Sequence, residues 1–108
     1  MDSILTSIKK LLGIAEEYTH FDDDIVMHIN TVLMILTQVG IGPEEGFTII
    51  DDSATWDEFL PEGSNLASVK SYIYLRVKLL FDPPLSSAVI ESTNRMISEL
   101  EWRLNIEG

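Results

Sequence analysis

Apolar residues in this chain recur at helical spacing in four separate stretches. In the first, Ile4, Leu5, Ile8, Leu11 and Leu12 share a face; Asp2 or Ser3 can cap its start and Gly13 can end it. Residues 14–21 read as a connection. Asp22, Asp23 and Asp24 then supply the cap and first turn of a second helix, where carboxylates meet the positive end of the dipole. Ile25, Ile29, Val32, Leu36 and Val39 follow at steps of four and three, widened by Val26 and Leu33, and Gly40 with Gly42-Pro43 stops the run. Leu66, Val69, Ile73, Val77 and Leu80 mark a third helix capped by Ser64 or Asn65. Tyr72, Leu75 and Leu79 make it apolar around much of its circumference, as in a helix that is central or shared with a neighbouring subunit. Asp82-Pro83-Pro84 ends it. A fourth helix starts at Ser86 or Ser87 and runs to about residue 104, with Val89, Thr93, Met96, Ile97, Leu100 and Leu104 facing inward and Trp102 to one side.

The segment between the second and third helices has another texture. Phe47, Thr48, Ile49 and Ile50 form a strand-like run, Asp51-Asp52-Ser53 a turn, and Thr55-Trp56-Asp57-Glu58 a capping box that opens one helical turn before Pro61. The expected fold is therefore mainly α: a four-helix domain over residues 1–108, with a short irregular or β-hairpin insert between helices two and three. An insert of about 20 residues is longer than compact domains usually carry without purpose, so it is expected to contact something.

Composition sharpens this picture. The chain has 108 residues, 45% of them hydrophobic, which suits one domain with a modest core. No cysteine is present, which excludes disulfides and thiolate chemistry. Lys9 and Lys10 precede only a short apolar stretch before Glu16, and the apolar second helix holds His28, Asn30 and Gln38, so neither a secretory signal nor a membrane span is expected. The expectation is a soluble protein of the cytoplasm, or of something assembled there.

Net charge is −11, and its distribution is uneven. No Lys or Arg lies between Lys10 and Lys70, a tract that carries 12 carboxylates, whereas five basic and five acidic residues balance from Lys70 onward. Direct binding to a phosphate backbone needs clustered cations, and none are supplied here. A surface of this kind solubilises, faces DNA without holding it, or mimics DNA for a basic partner.

Catalytic and metal chemistry find little support. His20 and His28 would stand about 12 Å apart along a helix, too far to share a metal. Asp24 with His28 supplies only two ligands, and Asp22–Asp24 lacks the spacing of a calcium loop. Asp51 and Asp52 are adjacent, so in a strand they point to opposite faces. No nucleophile elbow, phosphate loop or zincin motif occurs. No enzyme activity, cofactor or metal is expected.

Interface chemistry is better represented. Arg76 lies among Tyr72, Tyr74 and Val77, either paired with a carboxylate at an interface or reaching to solvent. Trp56 and Phe59 either fold back on the core or anchor a neighbouring subunit. The candidate contact residues are Phe47, Ile49, Trp56, Phe59, Tyr72, Arg76 and Trp102; the candidate DNA-facing carboxylates are Glu44, Glu45, Asp51, Asp52, Asp57 and Glu58.

An ordered set of segments carries a resemblance. Ile8-Lys9-Lys10-Leu11-Leu12-Gly13 is followed by Asp24-Ile25, His28-Ile29-Asn30 and Val39-Gly40-Ile41. Thr55-Trp56-Asp57-Glu58-Phe59-Leu60, Tyr72-Ile73-Tyr74-Leu75-Arg76-Val77, Phe81-Asp82-Pro83-Pro84 and Glu101-Trp102-Arg103-Leu104 come next. The set resembles the small head–tail connector (adaptor, or head-completion) proteins of long-tailed bacteriophages and prophages of Gram-positive bacteria. That resemblance implies a non-enzymatic virion neck protein, assembled in the host cytoplasm, that forms a ring of commonly about twelve copies through head-to-tail contacts. It implies as partners the portal protein above and the next neck or tail-completion protein below, with DNA passing through unbound. The alternative is an acidic DNA mimic that inhibits a nucleic-acid-binding protein.

Overall fold

The computed structural model describes residues 3–61 and 65–107. The first stretch forms α1 (Ile4–Leu12). Ser3 Oγ accepts the Thr6 N–H at 3.1 Å, and Gly13 turns left-handed at φ 83°, so both ends follow from local chemistry. The second forms α2 (Asp22–Gln38). Its capping residue is Phe21, without a side-chain cap, and the three aspartates occupy the first turn instead. It ends as the glycine predicts: Gly40 has φ 87°, and the Ile41 N–H returns to the Leu36 carbonyl at 2.9 Å. The third predicted helix is α4 (Leu66–Phe81), where Asn65 accepts from the Ser68 N–H at 3.4 Å. The fourth is α5 (Ser87–Glu107), with Ser86 Oγ accepting from Val89 N–H. The alternative caps Asp2 and Ser64, and the carboxylate Glu62, lie outside the described residues.

The third helix of the sequence reading is indeed central: α4 packs against α1, α2 and α5. Its Val69, Tyr72, Ile73 and Val77 meet Ile25, Ile29, Val32, Leu33 and Leu36 of α2, all nearly or fully buried. Truncating any of the isoleucine or leucine members to alanine costs about 2–5 kcal/mol by transfer and cavity terms. By contrast, α5 joins the core through a narrow stripe of Thr93, Ile97 and Leu104. Val89 and Met96, expected to face inward, are 48% and 50% exposed. Only α4 provides a broad floor for α5, so its flanks stay in solvent.

Within the insert, α3 (Trp56–Phe59) is the expected single turn: Glu58 Oε1 accepts the Thr55 N–H at 2.9 Å. The expected strand at Phe47–Ile50 is absent, and no strand occurs among the described residues beyond an isolated bridge between Ser3 and Thr55. A side chain replaces the missing ladder. Asn30 of α2 donates Nδ2–H to the Ile49 carbonyl at 2.9 Å and accepts the Ile49 N–H on Oδ1 at 2.8 Å. These two bonds satisfy the backbone of a residue that is 2% exposed, which would otherwise need a paired strand. Gly42, at φ 87°, lies against Phe59, whose ring a Cβ there would overlap. The insert is thus irregular and pinned to α1, α2 and the core.

Candidate functional site

The six candidate DNA-facing carboxylates, Glu44, Glu45, Asp51, Asp52, Asp57 and Glu58, are all exposed. They come from three short segments of the insert, at the Pro43 turn, the Asp51-Asp52-Ser53 turn and the first turn of α3. Hydrogen bonds from the Ser53 side chain and backbone hold the Asp51 carboxyl below the usual range; the backbone N–H lies 2.8 Å from Oδ1. Glu58 is partly committed to its capping box.

Lys9, one of only two cations before residue 70, is 2% exposed and is not part of any surface. Its ammonium donates to the carbonyls of Glu16 at 2.9 Å and Tyr18 at 2.8 Å, and pairs with Asp22 Oδ1 at 2.9 Å. The lysine therefore ties the α1–α2 connection to the start of α2. Sequence reasoning missed this role, and burying Lys9 leaves the acidic surface with still less countercharge.

Arg76 resolves in favour of pairing, but with a carboxylate of its own chain. Its Nη2 donates to Glu101 Oε2 at 2.9 Å and its Nε to the Tyr72 hydroxyl at 2.7 Å, while that hydroxyl donates to the same Glu101 oxygen at 3.0 Å. The guanidinium also stacks 5.3 Å from the Tyr72 ring centre. Burial pushes the Tyr72 hydroxyl up to about 12; the positive Arg76 opposes this, and the hydrogen bond to Glu101 reinforces it. This trio clamps α4 to α5.

Four expected contact residues are moved by the structure from the surface to the subunit core. Ile49, Trp56, Phe59 and Tyr72 are each 1–2% exposed. The Trp56 indole donates to Ser7 Oγ at 2.9 Å, and Phe59 packs at a tilt against half-buried Phe47 with ring centres 5.3 Å apart. A buried aromatic ring offers nothing to a neighbour, so their anchoring is internal. Trp102, at 66% exposure, keeps its surface, and Phe47 and Arg76 keep part of theirs.

Other apolar side chains stand out instead. Met27, Met34 and Ile50 are 58%, 57% and 84% exposed and line one shallow groove between α2 and the insert. The signal was present in the sequence: Met27 and Met34 lie seven residues apart, opposite the buried stripe of α2.

Neither histidine forms a ligand set. His20 packs edge-on against Phe21, with ring centres 4.8 Å apart, and Phe21 in turn contacts Phe81 at 5.3 Å. Among the described residues no three His, Asp or Glu side chains converge on a cation position, and no helix is long and apolar enough to cross a membrane.

One family model, described as phage connector protein, matches residues 4–108. No curated protein and no solved structure matches the chain.

Proposed function

The chain belongs to the phage connector protein family, structural proteins of the junction between phage head and tail, and from that premise we propose that its copies close a ring beneath the portal. The ring joins the filled head to the tail and continues the channel through which DNA leaves. Its partners are further copies of the chain, commonly about twelve in a closed head-to-tail ring, the portal protein above, and the next neck or tail-completion protein below.

The observation that carries this reading is the family match over residues 4–108, nearly the whole chain. The charge distribution supports the conduit role. A channel must pass a polyanion without gripping it, and carboxylates repel phosphate over about 8 Å at physiological salt. In this reading the exposed insert carboxylates Glu44, Glu45, Asp51, Asp52, Asp57 and Glu58 face the lumen, while Trp102, Phe47 and Arg76 stand near subunit contacts.

Deleting the gene from the phage or prophage that encodes it tests this function. The expected result is an accumulation of DNA-filled heads and separate tails, restored to joined particles by supplying the chain in trans. Normal joined particles without the protein would overturn it.

A further inference from the structure

Ring closure requires two different surfaces on each subunit, and we propose that the α2–insert groove of one copy receives the Val89–Met96–Arg103 flank of α5 from the next. This pairing rests on the ring reading and goes beyond it by naming both faces. Met27 and Met34 point away from α4, opposite the buried Ile25, Ile29, Val32 and Leu36 stripe, and Ile50 flanks them. On α5, Val89 and Met96 are half-exposed, and Arg103 continues their seven-residue spacing. That flank lies across α5 from Asn94, Ser98 and Glu101, which face the cleft toward α2. The two stripes therefore occupy different sides of the subunit, as a head-to-tail contact demands and a two-fold contact does not.

Shape and charge fit the same pairing. Stripes of seven-residue period on two helices pack at a shallow crossing of about 20°, and methionine side chains adapt to such a seam. The groove is edged by Asp23, with exposed Asp24 beside it in the first turn of α2. No lysine or arginine is available from residue 11 to residue 69 to neutralise those carboxylates. A second copy of the same groove would set like charges together. The α5 flank instead brings Arg103, which among the described residues pairs with Glu99 at 2.7 Å in an exposed i,i+4 contact, a type worth little and readily exchanged.

The absence of cysteine makes the test direct. Met34→Cys, Met96→Cys and the double variant are treated with a short bis-maleimide, both as concentrated purified chain and in assembled necks, with helical circular dichroism verifying each fold. The pairing predicts a ladder of cross-linked multimers from the double variant and only monomer from either single variant. Dimer from Met34→Cys alone would overturn the pairing in favour of a two-fold groove contact. A closed multimer, seen by native mass measurement or electron microscopy, without any ladder would overturn the pairing and leave the ring standing. No multimer in either setting would remove the ring itself, and this inference with it.

Discussion

Replacing Lys9 with methionine removes a charge from the interior while keeping most of the side chain's length and apolar stem. The ammonium makes two charge-assisted hydrogen bonds to the Glu16 and Tyr18 carbonyls, and hydrogen bonds of that kind are worth about 1.5–3 kcal/mol each. It also pairs with Asp22, and breaking a buried pair by deleting one partner costs about 3–5 kcal/mol when the survivor stays dry. The Asp22 oxygen that faces the ammonium, Oδ1, is itself buried, but the side chain as a whole is 26% exposed, so the carboxylate can rehydrate in part once the lysine is gone. The two carbonyls belong to exposed residues and can likewise recruit water. Allowing for this recovery, the net loss is about 3 kcal/mol, a large share of the roughly 5–15 kcal/mol that holds small domains together. Urea unfolding read by helical circular dichroism measures it. At a slope of about 1.5 kcal/mol per molar urea the midpoint falls by about 2 M. Lys78→Met is the matched control: its pair with Asp82 is as short, at 2.7 Å, but lies on the helix surface, and its loss costs about 0.5 kcal/mol or less. If Lys9→Met costs no more than Lys78→Met, the ammonium does not hold the α1–α2 connection and the reasoning fails.

Other outcomes follow from the same geometry. Removing the Asn30 side chain with Asn30→Ala strands the N–H and carbonyl of buried Ile49, costs about 2–3 kcal/mol and opens the insert to limited proteolysis ahead of global unfolding. Tyr72 is protonated when folded up to about pH 12 against an ordinary value of 10.0, so its contribution is complete below pH 10 and is lost as pH rises toward 12. A tyrosinate absorbance step near 12 that disappears in Tyr72→Phe checks this. The purified chain shows no salt-sensitive retention on duplex DNA, whereas changing Glu44, Glu45, Asp51 and Asp52 together to lysine creates it, in gel-shift titrations at stepped ionic strength.

How much of this was readable in the sequence depends on how local each cause is. The ends of α1 and the end of α2 were readable because Ser3, Gly13 and Gly40 act on backbone groups within a few residues. The turn of α3 was readable for the same reason, through Thr55 and Glu58. Phe47–Ile50 misled because β-branched and aromatic residues favour strands, yet the partner that satisfies Ile49 is a side chain 19 positions away. Trp56 looked like an anchor for a neighbour, but its ring packs in the subunit core and its indole bonds to Ser7, 49 positions distant. On α5 the apolar positions spread over a wide arc, and the sequence contains no marker of how little of that arc α4 covers. Lys9 was hidden because three partners from the following connection assemble its cage. The carboxylates were the most readable feature of the candidate site, since surface charge needs no tertiary partner to be exposed.

A role as a conduit requires this chain to surround the DNA path. An electron-microscopy reconstruction of the phage neck, with density assigned to this chain, measures that directly. The expected map holds a closed ring of copies immediately below the portal, with Glu44, Glu45, Asp51 and Asp52 lining the lumen. A map with the chain outside the channel wall, or with those carboxylates turned to the outer surface, would contradict it.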